Sequence, residues 1–158
     1  MTSDVRATVE VEQIDPTARW TRELLAALDA ELDEGGYAPE QQFGYDVSEL
    51  VERGVTLVGA FRNGALVGLG GVEVEGVQAE LKRCYVLPQH RGTGVADVIL
   101  DALLTEARTT GATAVRLETG VHQHAALRFY RRHGFADIPR FGPYVDGETS
   151  VCLAYELR

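Results

Sequence analysis

The feature that most constrains this chain is the passage from strand to helix within CYVLPQHRGTGVADVILDALL, residues 84–104. An apolar run stops at Pro88, Gly92 and Gly94 follow at two-residue spacing, and an amphipathic stretch begins without a break. Val95, Val98, Ile99, Ala102, Leu103 and Ala107 fall on one side of that helix, with Asp97, Asp101, Thr105 and Arg108 opposite. A helix N-terminus reached in this way offers unpaired N–H groups and a partial positive charge. Glycine lets the loop backbone come close to a ligand. Phosphate is the natural occupant, although an ordinary tight turn also uses such glycines. A P-loop is excluded because no lysine follows the glycines. A dinucleotide fingerprint is excluded because only G-x-G occurs, and late in the chain.

The flanking pattern sets the architecture. VRATVEVEQ alternates, with Val5, Ala7, Val9 and Val11 on one strand face. Asp15-Pro16 predicts a helix start, Asp as cap and Pro at the first helical position. Trp20, Leu24, Leu28 and Leu32 give that helix a core face, and Gly35-Gly36 ends it. Residues 37–53 read as loop and short helix. VTLVGAFR and ALVGLGGVEVE are joined by Asn63-Gly64, a hairpin signal. VQAELKRCYVL, TAVRLETGV, ADI and SVCLAYEL are further strands, and HAALRFYRRHGF is a short helix ending at Gly134. The order is β-α-(α)-β-β-β-α-β-α-β-β. It predicts a mixed α/β fold, one domain over residues 1–158, with a mostly antiparallel twisted sheet around a central β-α-β unit flanked by helices.

Length suits one core. No stretch approaches the roughly 20 apolar residues of a membrane span, and the N-terminus lacks a signal-peptide pattern. Cys84 and Cys152 lie in apolar runs and read as reduced buried thiols, so a cytoplasmic setting is expected. The net charge of −9 argues against a nucleic-acid partner. Its distribution is uneven. Residues 82–140 hold nine basic and five acidic side chains, while the remainder holds six against nineteen. The first set suits an anion and the second a cation, or simply a solvated surface.

Arg91-Gly92-Thr93-Gly94-Val95-Ala96 resembles the R/Q-x-x-G-x-G/A pyrophosphate motif of the GCN5-related N-acetyltransferases. Gln89-x-x-Gly92-x-Gly94 fits one step earlier, but the later register leads directly into the helix. AALRFYRRHGF resembles the family's second segment, from Ala126 through Tyr130 and Arg132 to Gly134-Phe135. FGPYVDGETSVCLAYEL is similar to the tail of a group of small bacterial acetyltransferases. The family often has asparagine where Gln123 stands.

The resemblance implies an acetyl-CoA-dependent N-acetyltransferase working by direct transfer in a ternary complex, with no metal. Residues Arg91 to Ala96 would hold the pyrophosphate, with Arg128 or Arg131 as further cations or as solvated ones. The Val86 N–H would stabilise the oxyanion where two strands splay, and Gln123 would contact the cofactor. Tyr130 is the expected acid for the CoA sulfur, or else a core aromatic. Glu80 is the expected base, with Glu118 as second choice. Lys82 and Arg83 alternate beside Glu80, so one of them would face the acceptor groove or both would lie on the surface. Tyr144, with Phe141, sits on an expected loop over the acceptor as a specificity contact or a homodimer surface. His122-x-His124 lacks a third ligand at a convincing spacing and is not read as a metal site. The expected acceptor is a small-molecule primary amine. A protein amine, or a non-catalytic acyl-CoA-binding role, are the alternatives.

Overall fold

The computed structural model describes residues 9–157; Val5 and Ala7 of the expected first strand lie outside them. Seven strands form one sheet: β1 (Val9–Gln13), β2 (Thr56–Arg62), β3 (Ala65–Glu75), β4 (Gln78–Val86), β5 (Ala114–Gly120), β6 (Ala136–Ile138) and β7 (Ser150–Glu156). Their spatial order is β1-β2-β3-β4-β5-β7-β6, and every neighbouring pair is antiparallel except β4 with β5. Helices α1 (Arg19–Glu34), α2 (Val47–Glu52), α3 (Val95–Thr109) and α4 (His124–Arg132) complete the fold. The element order is the one expected from the sequence. Asn63 and Gly64 turn the β2–β3 hairpin with φ of 52° and 80°, the left-handed pair that a two-residue hairpin turn demands.

Hydrophobic periodicity explains how the helices seat. On one face of the sheet, Val95, Ile99, Leu100, Leu103 and Ala107 of α3 pack against Ala79, Leu81, Val115 and Leu117. On the other, Leu24, Leu25 and Leu28 of α1 and Leu50 of α2 cover Ile14, Leu57, Leu69 and Tyr85. Gly35 caps α1, as expected.

Two expectations for α1 are corrected. The helix begins at Arg19, not Pro16, because the Asp15 carboxylate accepts from the backbone and hydroxyl of Thr17 (2.8 and 2.7 Å) and closes a local turn first. Trp20 is 43% exposed, its ring edge-on to Phe61 at 5.6 Å, while Thr21 and Leu25 take the buried positions.

The β4–β5 junction positions the chemistry. These strands pair only at Gln78–Ala114, Ala79–Val115 and Glu80–Arg116, yet β4 runs on to Val86 and β5 to Gly120. Beyond Glu80 they diverge and leave an opening. A bulge in β4 opposite Gly70 helps to turn the strand away: Tyr85 pairs with Leu69 but Lys82 with Gly71, and Arg83 adopts φ 58°.

Candidate active site

The wider opening on the α3 side is a cleft of about 510 Å³ running from the end of β4 across the start of α3 to α4. Gly92 (φ 73°) and Gly94 (φ 90°) shape its loop, and Gly94 is the N-cap of α3. The N–H groups of residues 92–97 find no protein acceptor among the described residues. A row of unpaired donors at a helix N-terminus fits a diphosphate. Thr93 directs its hydroxyl inward to the His90 carbonyl (2.6 Å), and Val95 is buried, so their side chains serve the loop's shape. Arg91 and Ala96 line the cleft. Arg91 bonds the Val86 carbonyl (2.9 Å) and forms a two-pronged pair with Glu31 of α1 (2.8 and 2.9 Å). Arg128 also lines the cleft, whereas Arg131 is held away from it by Asp137 at 2.8 Å.

A smaller cleft of about 160 Å³ lies across the diverging strands. Leu28, Cys84, Gln123, Ala126 and Tyr130 line both spaces, so this is where they meet. Gln123 precedes α4 and makes no side-chain capping bond, leaving its amide to the junction. Ladder geometry aims a donor into the opening. Leu87 donates to the Val67 carbonyl, and alternation along an antiparallel pair turns the Val86 N–H away from β3, towards the side that β5 has vacated.

Tyr130 comes to the junction from α4, flanked edge-on by Phe129 and Phe135. Its side chain lies beside that of Cys84. Burial holds the phenol well above its ordinary range, and Cys84 adds to that. Burial likewise pushes the Cys84 thiol up to about 11, so it stays neutral. Both cysteines are unpaired.

On the sheet face opposite α3, β4 and β5 present four charged side chains at alternate positions: Glu80 and Lys82, Arg116 and Glu118. Lys82 is buried, which excludes the surface role considered from the sequence. Its ammonium donates to the Tyr144 hydroxyl (2.9 Å), Glu80 (3.4 Å) and the Phe43 carbonyl (3.4 Å), and lies 4.1 Å from the centre of the Tyr45 ring. Arg83 does not alternate with it. The bulge sends its guanidinium to Asp29 (2.6 Å) and the Leu25 carbonyl of α1 (3.4 Å), against Gly44, where a Cβ would overlap it. Tyr144 is 1% exposed, which does not suit the dimer surface considered from the sequence, and it lines both the smaller cleft and an outer one. Its hydroxyl donates to Glu80 at 2.5 Å.

Glu118 lines the smaller cleft directly and accepts from Ser150 at 2.6 Å. Burial raises its carboxyl above the ordinary range, against the lowering effects of Ser150 and Lys82. Glu80 instead lines an outer cleft beyond Tyr144 and Lys82. Sequence reasoning missed Tyr37, Tyr45 and Ser150. Tyr37 is buried, lines the smaller cleft and accepts the His122 N–H at 2.9 Å. The Tyr45 hydroxyl donates to Glu73 at 2.7 Å. Segment 37–53 carries no periodicity that could have placed either tyrosine, and Ser150 is a small residue at a strand start. No group of three metal-ligating side chains occurs among the described residues.

Residues 14–135 match the Acetyltransferase (GNAT) family. The chain is 36% identical over 123 residues to an IAA acetyltransferase of Azospirillum brasilense, covering 77% of this chain and 80% of that one. In structure it is similar to an acyl-CoA N-acyltransferase of Klebsiella pneumoniae, with a TM-score of 0.84 and 33% identity over 96% of this chain and 99% of the other. The fold also matches the PaiA N-acetyltransferase of Thermoplasma acidophilum, solved in complex with coenzyme A, at a TM-score of 0.73 and 15% identity, covering 94% and 99% of the two chains.

Proposed function

Because the chain belongs to the acetyltransferase (GNAT) family and is an acyl-CoA-dependent N-acyltransferase, we propose that it moves an acetyl group from acetyl-CoA to the primary amine of a small molecule, by direct attack in a ternary complex. The observation that carries this reading is the meeting of two clefts at Tyr130. One has a diphosphate cradle at its mouth, and the other has an elevated carboxyl on its wall.

Residues 92–97 and Arg91 hold the diphosphate, with Gln123 at the junction. The Val86 N–H donates to the oxyanion that forms as the amine nitrogen attacks the thioester carbonyl. Tyr130 gives its proton to the thiolate as the C–S bond breaks. The amine's surplus proton passes to a carboxylate. Glu80, the first choice from the sequence, is taken up by Tyr144 and Lys82 and faces the outer cleft. We therefore assign the proton to Glu118 and give Glu80 the task of positioning Lys82 and Tyr144. A single domain with unpaired cysteines suits a reducing cytoplasm.

Amine-dependent release of CoA, with the acetylated amine identified by mass, tests the reading. Glu118→Gln lowers kcat by about 10²–10³-fold, the scale of a lost general base. Wild-type kcat falls as pH drops through the raised Glu118 value, because the acceptor must be ionised, and the variant lacks that limb. The same shift has a stability consequence. A raised carboxyl stabilises the fold while protonated, below its unfolded value, and that contribution is lost as pH rises through the folded one. Glu118→Gln should therefore melt higher than wild type at neutral pH. CoA release at the same rate without amine would count against acyl transfer to an amine. An unchanged acid limb in Glu118→Gln would count against the base assignment.

A further inference from the structure

We propose that the acceptor is an amino carboxylate, and that Arg116 holds its carboxylate while its amine enters beside Glu118. The inference rests on the acyl transfer proposed above and adds the chemical class of the acceptor.

The outer cleft, about 710 Å³, adjoins the smaller one, and Phe43, Lys82 and Tyr144 line both. Three cations line the outer cleft, and two are committed. Arg53 pairs with Glu73 at 2.8 Å, and Lys82 distributes its three donors over Glu80, Tyr144 and the Phe43 carbonyl. Arg116 is different. Among the described residues it has no hydrogen-bond or ion-pair partner, and its Nε is buried without one.

That is unexpected for a residue whose register partner on β4 is Glu80. Glu80 turns instead to Tyr144 and Lys82. The Arg116 guanidinium lies over the Phe141 ring, 4.1 Å from its centre, and Phe141 is itself edge-on to Tyr144 at 5.1 Å. A guanidinium lying over an aromatic ring keeps its terminal N–H groups for a planar anion, and carboxylate is the match. Arg116 and Glu118 share one face of β5, two residues and so about 6.6 Å apart along the strand. A cation facing the outer cleft and a proton acceptor facing the smaller one, with Phe43, Lys82 and Tyr144 between them, select a ligand with an anionic end and an amine end. Lys82, the sequence's candidate for this task, is already satisfied.

The test is calorimetric titration of the protein–CoA complex with α- and ω-amino acids, each beside its carboxamide, for wild type, Arg116→Ala and Arg116→Lys. Wild type should bind at least one acid more tightly than its amide. Arg116→Ala should lose that preference by about 10- to 100-fold, the weight of charge-assisted hydrogen bonds, with Arg116→Lys recovering part of it. The acetyl-CoA affinity of each variant reports that its fold is intact. Equal binding of acid and amide to wild type, no binding by any member, or a preference that survives Arg116→Ala overturns the proposal. Turnover of amines without any advantage for acids defeats this proposal and leaves acyl transfer standing. Arg116-dependent binding of acids with no acetyl-CoA consumption defeats acyl transfer and leaves the carboxylate site standing.

Discussion

Tyr130→Phe should lower kcat by about 10²–10⁴-fold, the range for loss of a positioned general acid, while acetyl-CoA binds as it does to wild type. The ring stays between Phe129 and Phe135, so packing is preserved. Only the hydroxyl is removed, and with it the proposed donor to the leaving sulfur. Because burial holds this phenol well above its usual range, Tyr130 remains protonated across the working pH range. It should add no limb to the wild-type profile, and the acid limb should persist in the variant because that limb is assigned to Glu118. Stopped-flow or steady-state rates, with acetyl-CoA affinity measured separately, check both parts. A variant with unchanged kcat would reduce Tyr130 to a core aromatic.

Gly94→Glu should weaken acetyl-CoA by more than about 100-fold. Two effects act together. Gly94 has φ 90°, where an L residue costs about 1–2 kcal/mol. The new carboxylate would also stand at the N-terminus of α3, where the free N–H groups of residues 92–97 await an anion. Gly94→Asn separates the effects, since asparagine tolerates the left-handed region and brings no charge. It should bind much more tightly than the glutamate variant. Similar losses in both would mean that loop geometry, not anion binding, sets the affinity.

Which parts of this molecule could be read from the sequence follows from which residues answer to local rules. The glycine loop, the Asn63-Gly64 hairpin and α3 are governed by φ, turn chemistry and a 3.6-residue period, all visible along the chain. Trp20 misled because it has the right spacing, yet Thr21 and Leu25 take the buried face and Trp20 stays 43% exposed. The face that holds the charges was harder. Glu80 and Lys82 were legible as strand neighbours, but the bulge that sends Arg83 to Asp29 depends on pairing with β3. That Tyr144 is buried against Glu80 depends on a contact 64 positions away in sequence. Arg116 stood out only when its neighbours proved to be paired with others.

The transfer proposed for this enzyme is direct, between two bound substrates. It is tested most directly by initial rates measured while acetyl-CoA and the acceptor are varied together, with the intact mass of the protein recorded during turnover. Direct transfer gives intersecting double-reciprocal lines and a protein that never carries an acetyl group. Parallel lines, accompanied by an acetyl adduct on the chain, would contradict it.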